Sequence, residues 1–187
     1  MANFLLKKSY HINNLKILQF KDLWGLHGVF TTIRLVGKPG KLVLFNNHFI
    51  NLIKSLKKYK IYSKNIEENI KALIRANIRN NFKYNHLFRI ALSKKLISIS
   101  IRKRLKLSNN FELKVLNYKR TDPKYKNLQY KYILKKLNSY DTTKVDILLV
   151  YKKKILETCT SNLLLVRNNK YYSPKNNCYI GNTINYL

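Results

Sequence analysis

The sequence predicts a mixed α/β protein built as two lobes. Three observations carry the prediction. Short runs rich in β-branched residues alternate with segments whose apolar residues recur at helical spacing. The pattern breaks at Thr121-Asp122-Pro123, which sets a boundary between residues 1–120 and residues 121–187. No internal repeat and no Gly/Ser linker divides the 187 residues further, a length that suits one domain or two small ones.

Val29 to Val36 (VFTTIRLV) reads as a strand, because β-branched side chains fit a pleated surface. Gly37-Lys38-Pro39-Gly40 is turn chemistry, and Leu42 to Phe45 is the expected returning strand. Phe49, Leu52, Ile53, Leu56 and Tyr59 give helical spacing over His48 to Ile61. Ile66, Ile70, Leu73, Ile74 and Ile78 do the same over Asn65 to Asn80. Strands follow at Leu87 to Leu92, Leu96 to Ile101 and Leu113 to Leu116. Beyond the break come a helix over Asn127 to Leu137 and a hairpin of Asp146 to Tyr151 with the strand from Ile155. Further strands are expected at Asn162 to Val166 and from Tyr171-Tyr172.

Charge is the largest compositional departure: 38 Lys+Arg against 8 Asp+Glu, net +30. Such a field attracts nucleic acid without sequence preference. The basic residues are spread along the whole chain and are mostly lysine, whereas phosphate-reading surfaces favour the arginine fork. Together with abundant Asn, Ile and Tyr this reads as the codon bias of an AT-rich genome. With 45% apolar residues the chain can bury a real core. No apolar run reaches the roughly 18 residues of a membrane span. Lys7 and Lys8 follow the short apolar patch Phe4 to Leu6, the reverse of a secretory signal, so a cytoplasmic protein is expected. Cys159 and Cys178 lack metal-site spacing and read as reduced thiols; no metal site is expected.

The most informative string is Ile155-Leu156-Glu157-Thr158-Cys159-Thr160-Ser161-Asn162-Leu163-Leu164-Leu165-Val166. It continues through Asn168-Asn169-Lys170 to Tyr172-Ser173-Pro174 and Ile180-Gly181-Asn182-Thr183. Its order resembles the signature of the class IV aminotransferase superfamily of pyridoxal-phosphate enzymes: a glutamate, small residues, Ser-Asn, a strand, a turn, a Thr/Ser-Pro pair and a Gly-x-Thr loop. In the first half, Gly28-Val29-Phe30-Thr31-Thr32 resembles the family's Gly-x-Phe-x-Thr strand. His48-Phe49-Ile50-Asn51-Leu52 resembles its His-x-x-Arg-Leu helix start. Thr31 stands where transaminases usually carry glutamate, so the chain looks most like a 4-amino-4-deoxychorismate lyase. The resemblance runs from about Leu26 to Thr183.

The resemblance implies a two-lobed fold and a site for pyridoxal 5'-phosphate. The cofactor needs a lysine amine that also moves protons at the substrate's Cα. The family places it in a Lys-x-x-Asn setting: Lys126 keeps the Leu and aromatic that follow, with Gln129 for the Asn, while Lys124 fits the Asn literally. Lys126 is preferred and Lys124 is the alternative. Glu157 holds the position of the carboxylate beside the pyridine nitrogen. Asn182 and Thr183 match the phosphate loop, Tyr130 is the aromatic near the lysine, and Thr31 and Thr32 stand on the substrate side, where only one can point inward. Asn51 replaces the family's phosphate-gripping arginine, which removes a charge from the cofactor's grip; Lys54 is one turn on. Asn51, Lys126, Glu157 and Thr183 are expected to converge on one cleft.

The implied reaction releases pyruvate from 4-amino-4-deoxychorismate and leaves 4-aminobenzoate, a step toward folate. An amino-acid transaminase of branched-chain or D-amino-acid type is the alternative within the superfamily. A basic RNA-binding or ribosomal protein is the alternative outside it, with 14 Tyr and 8 Phe available for stacking; no segment reads as a disordered basic arm. Family members are typically homodimers and continue beyond the Gly-x-Thr loop. The second lobe is therefore expected to be incomplete and C-terminally truncated, with the Asn162 to Val166 strand partly uncovered.

Overall fold

The computed structural model describes residues 4–186. The chain forms two compact units: Met1–Arg104 with Lys126–Leu128, and Leu105–Tyr125 with Gln129–Leu187. The Thr121-Asp122-Pro123 break therefore lies inside the second unit's share of the chain, and Asp122 takes a left-handed backbone there, with φ 47°. Met1 to Asn3, part of the segment read for a signal, lie outside the described residues.

The first unit holds strands β1 (Phe4–His11), β2 (Ile17–Leu18), β3 (Gly28–Gly37) and β4 (Lys41–Leu42). Helices α1 (Phe45–Lys58) and α2 (Ile66–Asn77) follow, then strands β5 (Tyr84–Ser93) and β6 (Leu96–Lys103). The strands form one antiparallel sheet in the order β2-β1-β6-β5-β3-β4. Side chains alternate across a strand, so the sheet has two distinct faces. Val29 and Leu35, with Phe88, Ile90, Leu92, Ile97, Ile99 and Ile101, form one core cluster with Leu52, Leu56, Ile66, Ile70 and Leu73 of the helices. The opposite face carries Thr32, Arg34, Arg89, Ser98, Ser100 and Arg102, which the register places in facing rows.

Two expectations need correction here. Leu42 to Phe45 is not a returning strand: only Lys41 and Leu42 pair with β3, Leu44 turns left-handed at φ 52°, and α1 begins at Phe45. The apolar helical period extends back to Phe45, which packs tilted against Phe49 at 5.5 Å. Strand β1 escaped the sequence reading because its residues Phe4 to Lys8 do not alternate cleanly. It is held by pairing with β6 from Phe4↔Arg102 to His11↔Leu96.

The helix expected from Asn127 starts later, at Lys131, as α3 (Lys131–Leu137). The preceding residues are taken by β3: Phe30 N donates to Lys126 O at 2.9 Å and Leu128 N to Gly28 O at 2.9 Å. Gly28 is required at this contact, because a Cβ there would collide with the Leu92 carbonyl and the Leu128 side chain.

The second unit contains β7 (Glu112–Asn117), α3, β8 (Val145–Tyr151), β9 (Lys154–Thr158), β10 (Leu165–Arg167), β11 (Lys170–Tyr172) and α4 (Asn182–Tyr186). β7 and β8 pair in parallel, and β8 and β9 form the predicted hairpin, turning on Lys152 and Lys153, both at positive φ. A parallel pair needs a long connection, and α3 lies in it. The strand expected from Asn162 shortens to β10, which among the described residues pairs with β11 alone. Asn162 is used otherwise: its side chain bonds Tyr179 O and Gly181 N. Leu165, Val166, Tyr171 and Tyr172 of this hairpin are exposed.

Candidate active site

In the first unit the two candidate threonines part company. Cross-strand pairs Phe30↔Ala91 and Thr32↔Arg89 put Phe30 and Thr32 on the polar face of the sheet. Thr31 points to the other face, is buried, and has its Oγ1 2.9 Å from His48 Nδ1. Burial first, and the Lys126 charge second, push the His48 pKa down to about 4. His48 is therefore a neutral partner of Thr31 at pH 7.

Lys126 is half-buried and lies on the Phe30 side, its Nζ 5.8 Å from that ring's centroid. Lys124 is exposed. The Phe30 ring meets Trp24 edge to face at 4.8 Å and 79°. Trp24 in turn lies under the Arg89 guanidinium, 4.3 Å from its carbon to the ring centroid. Asn51 is half-buried on α1, and its carbonyl accepts from Ser55 Oγ at 2.7 Å; Lys54 is exposed.

In the second unit the centre is a buried ion pair. Glu157, on β9, accepts from Arg120 Nε at 2.6 Å through Oε1 and from Tyr179 N at 3.2 Å through Oε2. Arg120 also donates from Nη2 to Pro123 O at 2.9 Å, and its guanidinium lies 5.0 Å from the centroid of the Tyr130 ring. Burial opposes the Arg120 charge, but Tyr130 and Glu157 more than offset it and its pKa is raised. Burial drives the Tyr130 phenol up, so it stays neutral. Burial, then Asp146 and Glu157, push the Cys159 thiol up to about 12, and burial also raises Cys178; both are free and buried.

The turn after Glu157 is pinned by Asp146. Its Oδ2 accepts from Thr158 Oγ1 at 2.7 Å and Thr160 Oγ1 at 2.5 Å, and Oδ1 accepts from Ile147 N at 2.7 Å. The loop at Gly181 is closed by Asn162, and a Cβ on Gly181 would collide with the Asn162 side chain. Asn182 is buried and begins α4, while Thr183 is exposed. An apolar cavity of about 140 Å³ near Leu107, Phe111, Leu137 and Asp146 is lined by none of the predicted site residues. No cluster of three or more metal-ligating residues occurs among the described residues. Nor is any helix there long and apolar enough to cross a membrane.

Sequence reasoning passed over Arg120 and Arg89. A signal was present: only eight of the 38 basic residues are arginine, so in a lysine-rich chain the few arginines stand out as candidates for places where the planar fork is used.

Residues 28–187 match a family model described as amino-transferase class IV. A branched-chain aminotransferase from Thermoproteus uzoniensis superposes with a TM-score of 0.71 at 15% identity, covering 97% of this chain and 72% of that one. A candidate 4-amino-4-deoxychorismate lyase from Legionella pneumophila gives 0.66 at 19% identity, with 94% and 73% coverage. A second candidate lyase, from Haemophilus somnus, gives 0.65 at 16%, with 89% and 84% coverage. At such identities the likeness concerns the fold. No curated protein matches the sequence.

Proposed function

From a chain that belongs to the class IV aminotransferase family, whose enzymes depend on pyridoxal 5'-phosphate, we propose a lyase that releases pyruvate from 4-amino-4-deoxychorismate to leave 4-aminobenzoate. The observation that carries the reading is the Arg120–Glu157 pair. An acid buried this deeply persists as a carboxylate only beside a cation, and here Arg120 supplies it. A fixed carboxylate is what a protonated pyridine nitrogen needs.

The residue types in each unit suit the cofactor. In the first unit Lys126 would hold its aldehyde carbon and Asn51 a polar edge; in the second Glu157 would hold its ring nitrogen, with Tyr130, Asn182 and Thr183 at its polar edges. Thr183 is exposed and Asn51 offers no charge, so affinity for the phosphate should fall below that of a site with an arginine at the Asn51 position. When bound, the cofactor supplies an electron sink for charge at the substrate's Cα.

Lys126, half-buried against Phe30, would take the Cα proton as a free amine and return a proton to the departing pyruvate. Thr32 shares the Phe30 face and would meet the substrate; Thr31, bonded to His48, would support the strand from behind. Arg120 would hold Glu157 in place, and Asp146 would hold the turn that follows it.

The direct test supplies 4-amino-4-deoxychorismate and the cofactor, and follows 4-aminobenzoate by fluorescence and pyruvate by a coupled assay. Equal release of both supports the lyase. Amino transfer to 2-oxoglutarate without 4-aminobenzoate would favour the transaminase reading, which the branched-chain neighbour keeps open. The family reading carries with it a homodimer in the cytoplasm, checked by sedimentation and fractionation. Association with nucleic acid would come only from the net charge of +30 and should vanish as salt is raised.

A further inference from the structure

Glu157 and Asp146 are both buried acids of the second unit, but only one has a cation beside it. Glu157 pairs with Arg120. Asp146 is 5% exposed and receives three hydrogen bonds, from Ile147 N, Thr158 Oγ1 and Thr160 Oγ1. Among the described residues no lysine or arginine forms an ion pair with it, in a chain that carries 38 of them. A buried carboxylate without a cation is costly, and hydrogen bonds offset only part of that cost. A carboxylate has about four acceptor positions, so three bonds leave room for another.

Asp146 also lines the second unit's cavity of about 140 Å³. The pairing of β7 with β8 sets Leu113 directly beside Asp146, and Leu107, Phe111, Leu137 and Val145 make the wall around them apolar. Leu107, Phe111 and Leu113 are partly exposed, which gives a ligand a way in. A cavity of about 150 Å³ with apolar walls accepts a benzene ring. The space thus suits one ring, and it offers that ring one acid.

We propose that this cavity binds a small organic cation: an apolar body the size of one ring, bearing an amidine, guanidine or ammonium group that pairs with Asp146. The protein's overall field opposes such a ligand, since a net charge of +30 repels cations. Uptake must therefore come from Asp146 and not from the surface at large. The cavity is lined by none of the residues proposed to hold the cofactor, so the site is independent of the lyase reading. Thr158, which follows Glu157 on β9, shares Asp146 with the ligand, and an occupant would also fasten the turn after Glu157.

The test measures binding of benzamidinium and benzamide to the cofactor-loaded full chain by calorimetry. The two probes have nearly the same shape and differ in charge. Neither is an amine that would condense with the cofactor's aldehyde. Benzamidinium should bind roughly tenfold more tightly than benzamide, the difference between a charge-assisted and a neutral hydrogen bond. Acetamidinium keeps the charge and lacks the ring, and should bind at least roughly tenfold more weakly than benzamidinium because the walls stay unfilled. Asp146→Asn keeps an acceptor for Thr158 and should bring the preference for the cation to within about twofold. Leu113→Trp, which fills the cavity from its rim, should remove binding of both ring probes. Glu112→Gln, an exposed acid on the same strand, should change nothing.

The proposal is overturned if wild type shows no preference for benzamidinium over benzamide, or if Asp146→Asn keeps that preference. It is equally overturned if acetamidinium binds as tightly as benzamidinium, since the cavity walls would then play no part. Glu112→Gln erasing the preference would assign it to surface charge and remove the site. Circular dichroism and the melting midpoint identify variants that fail to fold. Should Asp146→Asn be one of them, Leu113→Trp decides: undiminished benzamidinium binding there places the ligand outside the cavity and overturns the proposal.

Discussion

Arg120 Nε and Glu157 Oε1 lie 2.6 Å apart, with both side chains almost fully buried. Truncating one partner of such a pair leaves an unpaired buried charge, which costs about 3–5 kcal/mol. Arg120→Met should therefore lower the thermal midpoint sharply. Adding Glu157→Gln to that variant should recover part of the loss, because a neutral amide replaces the stranded acid. An Arg120→Met protein that melts like wild type would show that the pair is not needed for stability.

Lys126→Ala should abolish the visible absorption of bound cofactor, and Lys124→Ala should leave it. Borohydride reduction followed by peptide mapping gives a readout independent of turnover: the cofactor should be fixed to the peptide bearing Lys126. A label on Lys124 would reverse the choice between the two lysines.

His48 should make stability depend on pH. Its folded pKa of about 4 lies below the unfolded value near 6.5, so between these the unfolded chain binds the proton more readily. Its contribution is complete above about pH 6.5 and is lost as pH falls toward 4. Allowing for partial exposure, the effect is about 2 kcal/mol. Urea titrations of wild type and His48→Asn at pH 7 and pH 4.5 check it: the variant should lose less stability over that interval.

Gly28→Ala should be destabilising by about 1–3 kcal/mol, since the added methyl must displace the Leu92 carbonyl or the Leu128 side chain. The same change should disturb Lys126, whose carbonyl is bonded to the adjacent Phe30 amide on the strand. Weaker cofactor binding together with the lower midpoint is the expected pattern. A change in neither would mean that this contact yields without cost.

Much of the fold was legible in the sequence. The β-branched run from Val29 and the helical stripes through Leu56 and Ile70 depend on local periodicity, which any one segment displays by itself. The paired rows of the sheet were not legible: Arg89 stands beside Thr32 although 57 residues separate them in the chain, and no local pattern records that register. β1 was missed for the same reason, because its place is set by β6 rather than by its own alternation.

The candidate site divides along the same line. Glu157, Lys126 and the Thr31-Thr32 pair were marked by motif order alone. Which sheet face each threonine takes, and which basic residue neutralises Glu157, depend on side-chain direction and on residues distant in sequence. Thr31 looks equivalent to Thr32 until a strand turns one toward His48 and the other toward Arg89. Arg120 looks like one more cation in a chain of 38 until burial leaves it with Glu157 as its counter-charge. Composition and motif order thus determined the residue types available for chemistry. Only the tertiary structure decided which charges meet, because a charge acquires its partner through packing and not through spacing along the chain.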